Sequence, residues 1–419
     1  MGSARGAEIA GGFVKIGRVT GQFFGCSEAR AAISLYRRRS DIEKQEQSGV
    51  STRRQLEIAV EGRSVWVEGD ESVITWIESY VGGWWTAQST MNCGRRRFVG
   101  KVGNVWQMPS PADNKRERVE TYFGTIAEAW RKDGAVFVVV DGGKIGYCWD
   151  AGSQELVVIG LDPAAVAIDL NRIARAALTA ELEGDGWVMV HAACVVDGDA
   201  GAVVVGPKGS GKSTTALGLA AGHSFGLLGN DRCFARVEDG HIRCIAWPGS
   251  VAVGLGLLNA LGWTEVLAKG LREGARNHPA QRAEVVRQIL RGDSRSLFER
   301  GKELKYEILP RQFSELFGIQ LVREGYVTRL VLPRFEHDPA PVCAEDVVRN
   351  STLTSVGDGY PNFLGVGFLN SKLSASAVTR VIEALCSLDV ELPVFSKGRD
   401  RNPSTLEQLA ERIRGGNVR

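Results

Sequence analysis

The chain has 419 residues, which is enough for two or three domains and a large apolar core. Its 51 lysine and arginine residues nearly balance its 49 aspartate and glutamate residues, and the formal net charge is +2. Such a balance gives no electrostatic reason to expect a nucleic acid or a membrane as a partner.

The first elements predicted along the chain are a tail, a hairpin and a helix. Residues 1–19 are small and polar, which is typical of a flexible terminus. Alternating apolar residues from Gln55 to Val67 predict two short strands around a glutamate-glycine turn. Asp70 then has the side chain of a helix N-cap, and Gly82 ends the helix that it begins.

A sheet is predicted for the rest of the N-terminal part. A helix is expected near Tyr122 to Lys132, followed by the strand sequences AVFVVV, GKIGYCW and ELVVIG with polar turns between them. Strands joined by such short turns pair as an antiparallel meander. We therefore predict that residues 20–160 form an α+β domain, which would bind a substrate or a partner.

The next predicted elements lead into a glycine-rich turn. Asp162 followed by Pro163 is a strong helix start, and apolar residues continue the helix to Gly184. The segments WVMVHAACVV and GAVVV, separated by an Asp-Gly-Asp turn, predict a β-hairpin whose second strand ends at the glycine-rich turn. Beyond that turn a helix, a buried strand GLLG and a hairpin turning at Asp239-Gly240 are expected.

The glycine-rich turn carries the clearest chemical signal in the chain. GPKGSGKS fits the pattern G-x-x-x-x-G-K-[ST], the Walker A motif of P-loop proteins. Glycine adopts backbone conformations closed to other residues, so successive N–H groups can converge on a phosphate at the N-terminus of the following helix. Lys212 would then bind the β and γ phosphates, and Ser213 the Mg²⁺ ion. The residues predicted to bind the nucleotide are Gly206, Pro207, Lys208, Gly209, Ser210, Gly211, Lys212, Ser213 and Thr214.

ATP is the expected nucleotide. A guanine-selective site would need the motif N-K-x-D, and the similar run at 114–117 ends in glutamate and precedes the loop. The arrangements His-x-x-x-His and G-x-S-x-G are absent, so the sequence gives no support to a metalloprotease or a serine hydrolase.

The C-terminal part is predicted to combine helices with one further strand. Leu257 to Arg300 is charged and helical in pattern, and YVTRLVLP after it is a buried strand. Helices are expected at Ala375 to Leu388 and from Ser404 onward, the last with an apolar face that docks on a domain. We predict a P-loop domain over residues 161–345 and a C-terminal extension of helices and strand over 346–419.

The cysteines and the apolar segments indicate a compartment. The eight cysteines are scattered without C-x-x-C spacing, and four lie in strand-like stretches, which is typical of reduced thiols used as small core residues. No apolar stretch is long enough to span a bilayer, and the N-terminus lacks the core of a signal peptide. We therefore expect a cytoplasmic protein.

The hairpin, the loop and the acid after it together resemble the nucleotide-binding core of the HPr kinase/phosphorylase family. That family shares a fold with ATP-dependent phosphoenolpyruvate carboxykinases, and the resemblance covers residues 185–335. It implies an α/β fold in which a P-loop domain with a mixed sheet follows the N-terminal α+β domain and precedes C-terminal helices. The family has a histidine fifteen residues before the first glycine of the loop, where this chain has His191. A lone histidine on a strand is also typical of a packed core residue, so both interpretations of His191 stay open.

Asn230 and Asp231 stand where the family has two aspartates. In the family one acid holds Mg²⁺ through water, and the other takes the proton from the attacking serine hydroxyl. The resemblance gives the position of the base to Asn230 and the metal-linked position to Asp231, and a one-residue offset leaves the opposite assignment open. Asparagine accepts no proton at pH 7 but can orient a hydroxyl, and phosphoryl transfer depends mainly on positioning and charge neutralisation. A kinase reaction is compatible with this pair, whereas the reverse phosphorolytic reaction is weakened.

Further cations follow in the sequence. The segment GKELKYEILPRQFSELFG and the strand YVTRLVLP are similar to a segment of HPr-kinase-like proteins that modify peptide natural products. Lys302, Lys305 and Arg329 would supply positive charge to the transferred phosphoryl group, although a solvated surface lysine is the commoner case.

The function predicted from the sequence is an ATP- and Mg²⁺-dependent kinase. Its acceptor would be a hydroxyl of a serine in a peptide or protein, or of a small-molecule natural product, and the catalytic residues would be His191, Lys212, Asn230 and Asp231. The resemblance also implies self-association as a homo-oligomer. The alternative is a catalytically inactive or slow ATP-binding regulatory or scaffold protein, in which ATP changes how the N-terminal or C-terminal part binds a partner.

Overall fold

The chain is described here by a computed structural model. The structure describes residues 53–89, 96–109, 116–121, 124–140, 142–293, 295–337, 343–351, 362–396 and 403–415. Within these residues the architecture is mixed α/β, with ten α-helices and several sheets. The predicted flexible tail at 1–19 and the run at 114–115 lie outside the described residues.

The helices and strands have the following bounds. The helices are α1 (Glu71–Val81), α2 (Pro163–Gly184), α3 (Lys212–His223), α4 (Leu255–Ala260), α5 (Thr264–Arg272), α6 (Ala283–Leu290), α7 (Pro310–Phe317), α8 (Ala344–Ser351), α9 (Ala375–Ser387) and α10 (Pro403–Arg414). The strands are β1 (Arg53–Val60), β2 (Arg63–Asp70), β3 (Thr86–Ser89), β4 (Arg97–Val102), β5 (Glu117–Glu120), β6 (Ile126–Lys132), β7 (Ala135–Val140), β8 (Ile145–Asp150), β9 (Glu155–Gly160), β10 (Val188–Val190), β11 (Ala193–Asp197), β12 (Ala200–Val204), β13 (Gly226–Gly229), β14 (Cys233–Glu238), β15 (His241–Ala246), β16 (Val251–Gly254), β17 (Phe298–Glu299), β18 (Lys302–Glu303), β19 (Lys305–Ile308), β20 (Glu324–Val327), β21 (Arg329–Val331), β22 (Arg334–Phe335), β23 (Asp389–Glu391) and β24 (Val394–Phe395).

Nine strands of the N-terminal part form one sheet, in the order β3-β1-β2-β4-β9-β8-β7-β6-β5. β2, β4 and β9 run parallel, and the other neighbours are antiparallel. The predicted first hairpin and the predicted meander of β7, β8 and β9 are confirmed. At the hairpin turn Glu61 and Gly62 have φ values of 50° and 68°, the left-handed pair of a tight two-residue turn.

The helix expected near Tyr122 to Lys132 is wrong, because Ile126–Lys132 is strand β6. β6 pairs with β7 in antiparallel register, with Ala127 opposite Val140. In IAEAWRK the first four residues alternate between exposed and buried, with Ala127 and Ala129 buried and Ile126 and Glu128 exposed, which is the two-residue period of a strand. The composition of this segment is compatible with a helix, but its alternation is that of a strand.

Two helices cover one face of the nine-stranded sheet and connect it to the rest of the chain. α1 begins after Asp70 and ends before Gly82, and α2 begins after Asp162, whose side chain accepts a hydrogen bond from the N–H of Ala164 at 2.9 Å. Both predicted helices are thus confirmed, but the Asp70 side chain makes no capping hydrogen bond and accepts instead from the N–H of Val102 at 3.2 Å. α2 packs against β2, β4 and β9 and also contacts β10, so one apolar core continues from this sheet into the C-terminal sheets.

The following segments form two further sheets, and the chain crosses from one sheet to the other three times. One has the order β10-β14-β15-β20, and the other has the order β13-β11-β12-β21-β23. The chain passes from one to the other at residues 191–192, at 230–232 and at Thr328. WVMVHAACVV and YVTRLVLP were each predicted as one strand, and both predictions are wrong at the crossing, because the two halves pair in different sheets.

The C-terminal helices pack on different sides of the two C-terminal sheets, α9 on β14 and β15 and α10 on α3 and β12. The predicted helix from Ala375 is confirmed as α9, and the last predicted helix is confirmed as α10, which begins at Pro403. α10 packs on α3 and on β12, and its residues Leu409 and Ile413 are buried. The segment predicted as helical before Arg300 contains α4, α5 and α6 but ends in the short strand β17.

Two predictions from composition can be compared with the described part of the chain. The six cysteines described there are all free, and Cys194, Cys233 and Cys244 are fully buried on strands, as predicted for reduced core thiols. None of the helices described is long and apolar enough to cross a bilayer.

Candidate functional site

The predicted phosphate loop lies between β12 and α3, as the sequence pattern requires. β12 ends at Val204 and α3 begins at Lys212. Gly209 and Gly211 have φ values of 87° and 104°, which strain any residue with a Cβ atom. A Cβ atom at Gly206 would lie 2.6 Å from the hydroxyl oxygen of Ser210. The motif glycines are therefore required by the backbone path of the loop.

Lys212 is held against the loop that it follows. Its Nζ donates to the carbonyl oxygens of Gly206 at 2.6 Å and Pro207 at 3.2 Å. Burial lowers the pKa of Lys212, the carboxylate of Asp231 opposes this shift, and the ammonium of Lys305 adds to it. The first turn of α3, where N–H groups have no helical partner, starts at the same residue. Cation and amides thus lie together where a phosphate would bind.

Sheet topology brings the other predicted residues to the edge where this loop lies. β13 is antiparallel to β11, and β11 is antiparallel to β12, so β12 and β13 end at the same edge and β11 begins there. His191 and Ala192 immediately precede the start of β11, and Asn230 and Asp231 follow the end of β13. His191 Nδ1 lies 3.8 Å from Asp231 Oδ1.

His191 lies at the crossing between β10 and β11 and not within a strand, which corrects its predicted position. Its side chain is 34% exposed. Burial lowers the pKa of His191, the Asp231 carboxylate opposes this, and Lys212, Arg232 and Lys305 lower it further. Of the two interpretations, the structure therefore favours a histidine that faces the charged edge over one packed in the core.

Asn230 and Asp231 differ sharply in exposure. The side chain of Asp231 is 60% exposed and lies 3.5 Å from Arg232 Nε. Asn230 is buried; its Nδ2 donates to the carbonyl of Ala252 at 3.4 Å, and its Oδ1 is buried without a partner among the described residues. Asp231 is thus the accessible acid at this edge, and Asn230 holds an unused acceptor next to it.

The three later cations have different surroundings. Lys305 begins β19 and acts electrostatically on both Lys212 and His191. Lys302 lies in the short β17–β18 hairpin opposite Glu299. Arg329 lies within a sheet and pairs with Asp389, at 2.8 Å between Nη1 and Oδ2. Of these three cations, Lys305 acts on the lysine of the loop, whereas Arg329 is paired with Asp389.

Beside Asn230 and Asp231 lies a cavity of about 540 Å³, which the sequence did not predict. Its walls come from α1, from α2, from the segment after β15 and from β19. These segments are far apart in the sequence and share no motif, so no local pattern could have revealed them. Among the lining residues are Trp76, Asn171, Arg172, Arg175, His278 and Glu307.

The donor set at the edge fits Mg²⁺. Hydroxyl and carboxylate oxygens are the ligands that this ion prefers, and Ser213 in the first turn of α3 and Asp231 supply one of each. Inside the loop, Ser210 adds a buried hydroxyl that has no hydrogen-bond partner in the part of the chain that the structure describes. A group of three buried thiols, Cys194, Cys233 and Cys244, has its sulfur atoms within 4.8 Å of one another, but thiols suit soft metals and not Mg²⁺.

Neither a protein-family model nor a curated protein sequence matches the chain. The chemistry of the site therefore has to be inferred from its own residues.

Proposed function

We propose that the protein is an ATP- and Mg²⁺-dependent kinase that transfers the γ-phosphate to a hydroxyl, with a P-loop domain of HPr-kinase-like arrangement. The observation that carries the proposal is the meeting of the glycine loop and Lys212 with His191 and Asp231 at one sheet edge. Phosphoryl transfer needs positioned phosphates, a neutralising cation and a positioned acceptor, and this edge has residues for each.

The loop would hold the triphosphate. Lys212 would leave the carbonyls of Gly206 and Pro207 and bind the β and γ phosphate oxygens, while first-turn amides of α3 bind the same anion. Ser213 and Asp231 would hold Mg²⁺, which when bound neutralises charge on the phosphate oxygens. Lys305, whose charge acts on both Lys212 and His191, would add further positive charge.

The acceptor hydroxyl would lie between the loop and the cavity. The unpartnered Oδ1 of Asn230 can accept its hydrogen bond and orient it, but cannot take its proton. The proton would pass to the carboxylate of Asp231 or to the imidazole of His191, whose lowered pKa favours a neutral, proton-accepting ring. Because phosphoryl transfer has a loose transition state, a weak base at this position suffices.

The test first measures binding of Mg·ATP and then measures transfer of its γ-phosphate. Purified protein is heated with and without Mg·ATP, and transfer of radiolabelled γ-phosphate to peptide, protein and small-molecule fractions of a lysate is then measured. We expect a higher melting temperature with Mg·ATP and label in one acceptor fraction. Stabilisation without label in any fraction would favour the regulatory or scaffold alternative, and the absence of stabilisation would contradict both functions.

A further inference from the structure

The cavity beside Asp231 is large enough for a whole small molecule. Its volume of about 540 Å³ falls within the range of roughly 300–1,000 Å³ common for ligand pockets. Asn230 and Asp231 form one end, and α1 and α2 enclose the other. An acceptor that enters this space would have its reactive group beside the phosphate edge.

The end formed by α2 carries positive charge. Arg172 and Arg175 lie one helical turn apart and both line the cavity. Arg172 pairs with Asp169 at 2.8 Å, and buried Arg175 stacks over Trp247 with 4.5 Å from guanidinium carbon to ring centroid. Burial and these two guanidinium groups lower the pKa of His278 to about 4, so the imidazole beside them is neutral at pH 7.

Two buried polar atoms near this end have no hydrogen-bond partner among the described residues. They are the indole N–H of Trp76 and the Oδ1 of Asn171, and both residues line the cavity. Asn171 is only 1% exposed, and buried polar groups in folded proteins are nearly always paired. The indole N–H of Trp76 beside two guanidinium groups forms a set of donors that binds a carboxylate, whereas the Oδ1 of Asn171 can only accept a hydrogen bond from a donor of the ligand.

The opposite end accepts hydrogen bonds and carries acidic groups. Asp231 and Glu307 line it with Asn230, and the hydroxyl of Ser250 donates to Glu307. Burial raises the pKa of Glu307. Arg232 also lines this end and lies 3.5 Å from Asp231, so the end combines acceptors for a hydroxyl with positive charge beside the phosphate edge. Trp84 and Trp247 also line the cavity, and the Trp247 ring contacts both Arg175 and Arg232.

We propose that this cavity binds the phosphoryl acceptor and that the acceptor is a small hydroxy acid, with its carboxylate at Arg172 and its hydroxyl at Asp231. The inference rests on the proposed kinase function. In the reaction the acceptor oxygen bonds to the γ-phosphorus, the bond from that phosphorus to the β–γ bridging oxygen breaks, and ADP leaves with those electrons. The hydroxyl proton passes to the carboxylate of Asp231.

The binding test needs no nucleotide. Tryptophan fluorescence reports occupancy because Trp76, Trp84 and Trp247 line the cavity. The probes are 4-hydroxyphenylacetate, N-acetyl-L-tyrosine and N-acetyl-L-serine, each compared with its carboxamide. We expect at least one acid to bind tenfold or more tightly than its amide. Equal binding of every acid and amide, or no binding by any probe, would overturn the proposal.

Two variants locate the carboxylate. Arg172→Gln should remove the preference for acid over amide and raise the KM of the acid at least tenfold at unchanged Mg·ATP affinity. Trp76→Phe keeps an aromatic ring but loses the N–H, and it should weaken acid binding several-fold. This variant still tests the proposal if Arg172→Gln folds poorly because the Arg172–Asp169 pair is lost. Arg311→Gln, an exposed arginine paired with Glu315 on α7, is the matched control and should change neither value.

Failure of this inference can be distinguished from failure of the proposed function. If Mg·ATP stabilises the protein and phosphate is transferred, but neither variant changes the preference for acids, the hydroxy-acid acceptor is wrong and the kinase stands. If acids bind and respond to Arg172→Gln, but Mg·ATP neither stabilises the protein nor transfers phosphate, the cavity binds acids and the kinase is wrong.

Discussion

At the scale of single residues, the surroundings of each site residue define what it can contribute. Lys212 is held by two carbonyls of its own loop, whereas Asp231 extends toward solvent and Asn230 is buried beside it. His191 lies 3.8 Å from the Asp231 carboxylate, and the charges of three cations lower its pKa. Cation, acid and neutral acceptor thus occupy separate positions, and each can be altered without replacing the others.

Replacing Lys212 by alanine should remove the stabilisation that Mg·ATP gives. A charge-assisted hydrogen bond contributes about 1.5–3 kcal/mol, so loss of the ammonium should weaken nucleotide binding by about ten- to a hundredfold. The measurement is a thermal shift titration with Mg·ATP. Lys269→Ala, which removes an exposed lysine of α5, is the control and should bind as the parent does. Equal shifts for the two variants would remove Lys212 from the site.

Asp231→Asn should separate binding from turnover. The amide keeps the size of the side chain but cannot accept the proton or hold the metal as a carboxylate does, so turnover should fall about a hundredfold or more, equivalent to about 3 kcal/mol of the barrier. Mg·ATP should still stabilise the variant. Asp239→Asn, at the turn between β14 and β15, is the matched control. If Asp231→Asn and the parent turn over at equal rates, the acid has no catalytic role.

His278 should make stability depend on pH. Burial and the neighbouring arginines lower its pKa to about 4, against an ordinary value of 6.5. The unfolded chain therefore binds the proton first, and the contribution is complete above pH 6.5 and is lost as pH falls toward 4, by an amount on the order of 2–3 kcal/mol. Urea unfolding at pH 7.5 and 4.5 should show this loss in the parent and a smaller loss in His278→Gln. His223→Gln is the control, and an unchanged loss in His278→Gln would exclude the imidazole as its source.

At the scale of elements, local signals were predicted well and long-range pairing was not. The glycine loop, the helix start at Asp162 and the first hairpin each depend on a few adjacent residues, and all three are found. The strand predicted through His191 is interrupted because its two halves, β10 and β11, join different sheets. No residue in WVMVHAACVV encodes that choice. Strand β6 was missed for a different reason, since the alternation in IAEAWRK is a local signal of a strand that the prediction of a helix did not use.

The loop between β12 and α3 should not tolerate a side chain at Gly211. Its φ of 104° strains alanine, so Gly211→Ala should destabilise the protein by about 1 kcal/mol or more and abolish the Mg·ATP shift. Gly222→Ala is the matched control, because this helical glycine has open space around it and alanine should stabilise α3 by about 0.5–1 kcal/mol. Urea unfolding and thermal shifts of both variants measure this. A Gly211→Ala protein with parental stability and ATP response would show that the loop backbone is not needed in this conformation.

At the scale of the whole molecule, the site is assembled by packing between distant parts of the chain. The phosphate loop belongs to the C-terminal sheets, whereas the cavity wall combines residues of these C-terminal segments with residues of the two helices that cover the nine-stranded sheet. Hydrogen bonds fix this interface: the indole N–H of Trp85 donates to Ala246 at 2.8 Å, and that of Trp84 to Gly249 at 3.1 Å. A sequence can indicate the loop, but a cavity between two parts follows only from their packing.

This interface should make the described core unfold as one cooperative unit. Trp85 is 2% exposed, so Trp85→Ala should leave a cavity and lose the bond to Ala246, at a cost of about 3–5 kcal/mol. Because the apolar core is continuous, the whole transition should shift, and circular dichroism and tryptophan fluorescence should report the same midpoint. Trp106→Ala, at a residue 72% exposed, should cost less than about 0.5 kcal/mol. Two transitions, of which Trp85→Ala shifts only one, would show that the nine-stranded sheet unfolds separately and that the cavity lies between independent units.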